Sequence, residues 1–192
     1  MNFLPNNLYH FYNRGNNRQQ IFFSRSNYLF FLEKIKIFIL PYADILCWCL
    51  MPNHFHFLIY TKQDLENYIL NTNIGILLRS YTRAINESME RTGSLFQQKF
   101  KSKLISNVGK HYKEGFYDLN CFYYIHQNPL ISGLVKKMED WEFSSFRDYI
   151  WIRKDSLVNK ELAYKILNLP GKDDFYKVSY ESIDPNKIKS LL

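Results

Sequence analysis

Two imidazoles one residue apart are the first groups in this chain that could do chemistry. In Met51-Pro52-Asn53-His54-Phe55-His56-Phe57-Leu58-Ile59-Tyr60, a Pro-Asn turn signal precedes alternating polar and apolar positions. That period of two is the pattern of a half-buried β-strand. His54 and His56 then project from one face with Leu58 and Tyr60, while Phe55, Phe57 and Ile59 face the other way. At i and i+2 their Cα atoms lie roughly 6–7 Å apart, close enough for both rings to converge on one divalent cation. The turn puts them near a sheet end, within reach of a substrate. The same pair also fits two half-buried, hydrogen-bonded histidines, so a third ligand and a reactive group must come from elsewhere.

A second stretch offers both. Lys110 to Asn128 reads as a helix ended by Pro129, because the residue before proline is pushed out of the α region. Tyr117, Cys121, Tyr124 and Asn128 recur at i, i+4, i+7 and i+11 and share one stripe. An amide oxygen is a competent ligand for a hard divalent ion. Laid across the histidine face, this helix supplies Asn128 as third ligand and the Tyr124 phenol beside it. The ion would polarise a phosphodiester oxygen, and Tyr124 would attack phosphorus to form a covalent phosphotyrosine. The link conserves the energy of the cut bond, so rejoining needs no nucleotide. A free phenol titrates near pH 10, so Tyr124 needs nearby positive charge or a base. With 15 tyrosines in the chain, type alone favours a core or surface role for any one of them. Tyr123, the nearest rival, points about 100° away around the helix. His10, His111 and His126 read as structural or surface residues.

The elements that must hold these groups follow from pattern and punctuation. Residues 8–13 alternate as a first strand, and Arg14-Gly15-Asn16-Asn17-Arg18 is a turn-forming loop with two cations. Ser24 or Ser26 caps a helix running to about Leu40, where Pro41 stops it. Ala43 to Leu50 is a second, apolar strand before the histidine strand. A helical region runs from Asp64 to about Arg91, with a break expected at Asn71-Thr72-Asn73 and a basic edge of Arg79 and Arg83 at i, i+4. Lys99, Lys101 and Lys103 alternate on a further strand, a row that either tracks a phosphate backbone or blunts a sheet edge. Trp141 to Tyr149 reads as a turn and short helix. The order strand, helix, two strands, helix, strand, helix predicts an α+β, ferredoxin-like antiparallel sheet with helices packed on one face and extra C-terminal helices. Residues 1–150 make the catalytic domain and 151–192 a C-terminal extension.

Composition narrows the partner. The 192 residues carry 25 Lys and Arg against 18 Asp and Glu, a net charge of +7, and 18% are aromatic. Cations for phosphate and rings for unpaired bases point toward nucleic acid. There is no Walker-type or Gly-x-Gly-x-x-Gly loop, so phosphate chemistry here would run without ATP. Cys47, Cys49 and Cys121 form no Cys-x-x-Cys pair and read as reduced thiols of a cytoplasmic protein. The first residues lack the pattern of a signal peptide. No apolar run approaches the roughly 18 residues of a membrane span.

With these motifs in hand, the chain resembles the REP-associated tyrosine transposases, within the single-tyrosine HUH transposases. The resemblance rests on His54-Phe55-His56 and on Tyr9-His10 with Asn13-Arg14-Gly15-Asn16-Asn17-Arg18. It extends through Arg91-Thr92-Gly93-Ser94-Leu95-Phe96-Gln97, Tyr124-Ile125-His126-Gln127-Asn128-Pro129-Leu130, and Trp141-Glu142-Phe143-Ser144-Ser145 with Asp148-Tyr149. It implies a ferredoxin-like palm that cuts and rejoins single-stranded DNA at hairpins of repeated palindromes. Tyr124 would become linked to a 5′ phosphate, His54, His56 and Asn128 would hold Mg²⁺ or Mn²⁺, and Arg14, Arg18, Arg79, Arg83, Lys99, Lys101 and Lys103 would contact DNA. The chain departs from the family pattern at Ile131 and Lys99, where arginines are common. A cleavage-silent hairpin-binding protein and a metal-dependent hydrolase are the competing readings. Monomer and helix-swapped homodimer both remain open.

Overall fold

The computed structural model describes residues 2–66, 68–107, 117–181 and 183. Four strands, β1 (Asn7–Arg14), β2 (Ala43–Met51), β3 (His54–Thr61) and β4 (Lys101–Asn107), form an antiparallel sheet in the order β2-β3-β1-β4. With α1 (Arg25–Phe38) between β1 and β2 and α2 (Ile69–Ser88) between β3 and β4, this is the ferredoxin-like α+β arrangement. α1 starts where Ser24 closes the chain on Asn27, its N–H donating to Asn27 Oδ1 and the Asn27 N–H to its carbonyl.

Register decides which side chains meet. Tyr12 lies opposite His56 and Arg14 opposite His54. Cys49 and Met51 oppose His56 and His54 from β2, and Lys101 and Lys103 oppose Tyr12 and His10 from β4. Directly opposed residues share a face, so the histidines, Tyr12 and the two lysines occupy one side. The other side carries Phe11, Phe55 and Phe57. α1 and α2 cover it, with Phe31 at 5.1 Å from Phe55 and 5.0 Å from Tyr81, ring centre to ring centre. Helix α3 (Tyr117–Ile131) crosses the histidine side, its Phe122 carbonyl 3.9 Å from Cys47 Sγ.

The C-terminal part completes this core. The edge of β2 is closed by Leu50 N–H donating to Phe143 C=O, Ser145 N–H to Trp48 C=O and Asn159 N–H to Ile45 C=O, which removes a free strand edge. After α4 (Phe146–Tyr149) and α5 (Lys160–Leu167), α6 (Lys172–Ser179) sets the buried Phe175 against Phe122, Phe146 and Tyr149 on the back of α3. Gln127 Nε2 donates to the carbonyls of Ser179 and Glu181, tying that segment to the tyrosine helix.

Several local expectations are corrected. α2 begins at Ile69 and runs unbroken through Asn71-Thr72-Asn73. Its buried stripe of Leu70, Ile74, Leu77, Tyr81 and Ile85 outweighs the poor propensities of those residues, and Asn73 Nδ2 donates to the Ile69 carbonyl. α3 continues past Pro129 to Ile131, since a proline near the helix end forfeits a single donor. The helix closes on Ser132 and Leu134 N–H bonds to the Asn128 and Pro129 carbonyls, with Gly133 at φ 71°. β4 starts at Lys101, so Lys99 is not on the strand. The expected helix start at Lys110, and His111, lie outside the described residues. Among the described residues no helix is long and apolar enough to cross a membrane.

Candidate active site

Beside a cleft of about 350 Å³, β1, β3 and α3 bring together Tyr12, Arg14, His54, His56, Tyr124 and Asn128, joined by Arg18 and Lys101. The rings of His54 and His56 are 5.0 Å apart and nearly perpendicular, at 83°. Tyr124 stands 5.6 Å from His56, ring centre to ring centre. One turn along α3, Asn128 Nδ2 donates to the Tyr124 carbonyl at 2.9 Å. That bond turns its oxygen outward, and Asn128 Oδ1 lies 3.5 Å from His54 Nε2. The four side chains expected to share a site come together within one chain.

Partners behind the histidines leave one nitrogen of each ring facing the cleft. His54 Nδ1 is 2.7 Å from Asn53 Oδ1, which can only accept, so Nδ1 carries the proton and Nε2 the lone pair. His56 Nδ1 is 2.8 Å from Nε2 of the fully buried His10. If His56 donates in that pair, its Nε2 is also a free lone pair. Both imidazoles are held below their ordinary pKa. For His54 the cause is burial, opposed by Asn128 Oδ1, which would accept from Nε2–H of the charged ring, and reinforced by the charge on Arg14. For His56 it is burial, then repulsion from His10 and His54, and the shift is large. Neutral imidazoles are the form that ligates a metal.

The donor set therefore fits a divalent ion: two imidazole nitrogens and one amide oxygen, with coordination positions left open. Among the described residues no group of three or more His, Cys, Asp or Glu side chains is arranged so that it could hold a metal ion by itself. Tyr124 is pushed above the ordinary phenol value, chiefly by burial, with a hydrogen bond to Asn128 pulling the other way. Its phenol stays protonated at neutral pH unless positive charge is brought to it. Tyr123 points instead to the core beside Phe175, at 6.3 Å.

The expected DNA-contacting residues separate into two groups. Arg14, Arg18 and Lys101 ring the cleft, with Lys101 Nζ 5.5 Å above the Tyr12 ring. Lys103 sits one register step further in, opposite His10. Arg79, Arg83 and Lys99 line a separate groove along α2.

No protein-family model matches the chain. A curated Haemophilus influenzae protein, provisionally named a REP-associated tyrosine transposase, is 29% identical over 108 residues, 51% of this chain and 56% of that protein. The chain thus spans little more than half the length of this curated relative. The solved structure of a REP-associated tyrosine transposase bound to a REP hairpin aligns with a TM-score of 0.59, over 81% of this chain and 86% of that one, at 16% identity. The chain resembles REP-associated tyrosine transposases in sequence and in fold.

Two residues next to the site are not evident from sequence spacing. His10 and Asn53 stand behind the candidate ligands, and each fixes a ring through Nδ1. Asn53 was visible only as a turn residue. His10 could have been found from its parity on β1, since it alternates with Tyr12, but only once β1 is known to pair with β3.

Proposed function

We propose that this chain is a REP-associated tyrosine transposase that cuts and rejoins single-stranded DNA at hairpins through Tyr124, within the cytoplasm where such DNA lies. His54, His56 and Asn128 would hold Mg²⁺ or Mn²⁺. When bound, that ion supplies positive charge to polarise a phosphodiester and to favour the phenolate. The observation that carries the reading is the joint placement of Tyr124 and Asn128, one helical turn apart, over the His54–His56 strand, with Asn128 Oδ1 3.5 Å from His54 Nε2.

Arg14, Arg18 and Lys101 attract the phosphate backbone to the cleft and hold the scissile phosphate near the phenol. The Tyr124 oxygen then forms a bond to phosphorus as the bond from phosphorus to the 3′ oxygen breaks. The phenolic proton is lost, a proton reaches the departing 3′ alkoxide, and the 5′ phosphate remains on Tyr124. Attack by a 3′ hydroxyl reverses the step and reseals a strand. All the side chains involved come from one chain, so a site of this kind requires no exchange of helices between copies.

The test is a labelled single-stranded hairpin with flanking sequence, incubated with Mg²⁺ or Mn²⁺ and run on a denaturing gel. Wild type and Tyr123→Phe should give a protein–DNA adduct, and Tyr124→Phe should give none. An adduct of undiminished yield from Tyr124→Phe would remove the assigned nucleophile. Hairpin binding without any adduct would make the protein a reader of hairpins, and a free 5′ phosphate without adduct would make it a hydrolase.

A further inference from the structure

Cleavage at Tyr124 ends in a 3′ alkoxide, a base too strong to leave readily without a proton. Among the described residues the cleft lining holds no carboxylic acid to supply one. Arg14 and Arg18 stay charged, since a guanidinium keeps its proton in proteins, and the amides of Asn13, Asn53, Gln97 and Asn128 do not titrate. In the ligating tautomer each imidazole turns its N–H back, His54 to Asn53 and His56 to His10, and shows the cleft a lone pair. With Tyr124 as the nucleophile, Tyr12 and Lys101 remain.

Placement and charge separate these two. Tyr12 lies within a stack, 4.6 Å from His10 and 5.5 Å from His56, ring centre to ring centre. A phenol that gave up its proton there would leave a negative oxygen beside the scissile phosphate. Lys101 is exposed, makes no ion pair among the described residues, and holds its Nζ 5.5 Å from the centre of the Tyr12 ring. An ammonium attracts the phosphate before it gives up its proton and is neutral afterwards, so no like charge builds up. Lys101 also stands where a leaving group would be. Tyr124 reaches the cleft from α3, against the His56 ring, whereas β4, which carries Lys101, lies beyond β1 from the histidine strand. Two strand spacings, about 10 Å, leave room for a phosphodiester whose attacking and leaving oxygens lie roughly in line.

We propose that Lys101, beyond its attraction for the backbone, is the general acid of strand cleavage and the general base of rejoining. As the bond from the Tyr124 oxygen to phosphorus forms and that from phosphorus to O3′ breaks, Nζ passes a proton to O3′ and becomes a neutral amine. The phenolic proton passes to solvent. In rejoining, the amine takes the proton of the attacking 3′ hydroxyl, O3′ bonds to phosphorus, and Tyr124 leaves and recovers a proton from solvent. The inference rests on the cleavage reading above and names the residue that moves one of its protons.

Single-turnover adduct formation by the full chain with Mn²⁺ tests it on two hairpin substrates, one natural and one with sulfur in place of the bridging 3′ oxygen at the cleavage site. A thiolate leaves without a proton, so the sulfur substrate bypasses a general acid. Lys101→Arg keeps the charge but does not release its proton near neutral pH. It should bind the hairpin as wild type does by fluorescence anisotropy, form adduct about 10²–10⁴-fold more slowly on the oxygen substrate, and match wild type on the sulfur one. Recovery on sulfur would also show that the variant is folded with an intact cleft. Tyr12→Phe should affect both substrates alike. The inference is overturned if Lys101→Arg keeps the wild-type rate on oxygen, if its loss is the same on both substrates, or if the loss rescued by sulfur belongs to Tyr12→Phe instead. Wild type that forms no adduct on either substrate would overturn the cleavage reading and this inference with it, an outcome distinct from those three.

Discussion

His10 provides the sharpest test of the candidate metal site, because it touches a proposed ligand and nothing that reacts. Its Nε2 lies 2.8 Å from His56 Nδ1, it is fully buried, and its ring stacks on Tyr12 at 4.6 Å. Ligation through His56 Nε2 requires the proton on Nδ1, and His10 is the acceptor that stabilises that tautomer. Replacing His10 by Phe keeps a ring in the stack but leaves a buried Nδ1–H without an acceptor, a cost of about 1–3 kcal/mol. Loss of such an orienting partner lowers metal affinity by about 10–100-fold, equivalent to about 1.4–2.8 kcal/mol. His10→Gln returns an acceptor oxygen and should recover much of the affinity. Calorimetric titration with Mn²⁺ reads the constant directly, and urea unfolding in the absence of metal measures any packing loss separately. The reasoning fails if His10→Phe binds Mn²⁺ as tightly as wild type. It fails equally if Gln and Phe lower affinity alike while both variants remain folded.

The remaining expectations concern the C-terminal half of the core. His126 is fully buried among Phe122, Phe146 and Tyr149, its Nε2 is 2.7 Å from Ser145 Oγ, and burial lowers its pKa from 6.5 to about 3. The fold keeps it neutral while the unfolded chain takes up a proton near pH 6.5, so its contribution is present above that pH and is lost as pH falls toward 3. Between pH 7 and 5 this amounts to about 2 kcal/mol. Urea unfolding of wild type should lose about that much more over this interval than His126→Leu, and identical losses would refute the assignment. Arg153 Nη1 lies 2.9 Å from Oδ2 of the fully buried Asp148 carboxylate, whose pKa is raised by burial and pulled back by Arg153. Arg153→Leu should therefore cost about 3–5 kcal/mol. Adding Asp148→Asn should restore part of that in the same assay, whereas additive losses would show that the pair is not coupled.

How much of this was legible beforehand depends on the range of the interaction involved. The His54-Phe55-His56 strand, the helix carrying Tyr124 and Asn128 one turn apart, and the ferredoxin-like order of elements all follow from periods of two and 3.6 and from turn residues, which act over a few positions. The misread boundaries were also local, but burial overruled local preference there. α2 runs through three weak helix formers because one of its faces is sealed, and α3 absorbs Pro129 in its last turn.

Sequence by itself determined which side chains could share a strand face or a helix stripe, since covalent geometry sets those periodicities wherever the element ends up. Only the tertiary structure decided that α3 lies over the histidine side of the sheet, that His10 backs His56, and that the basic residues divide between the cleft and the α2 groove. Those outcomes depend on strand register and helix docking between residues tens of positions apart. There the deciding energy is the burial of whole faces, which no short stretch of chain encodes.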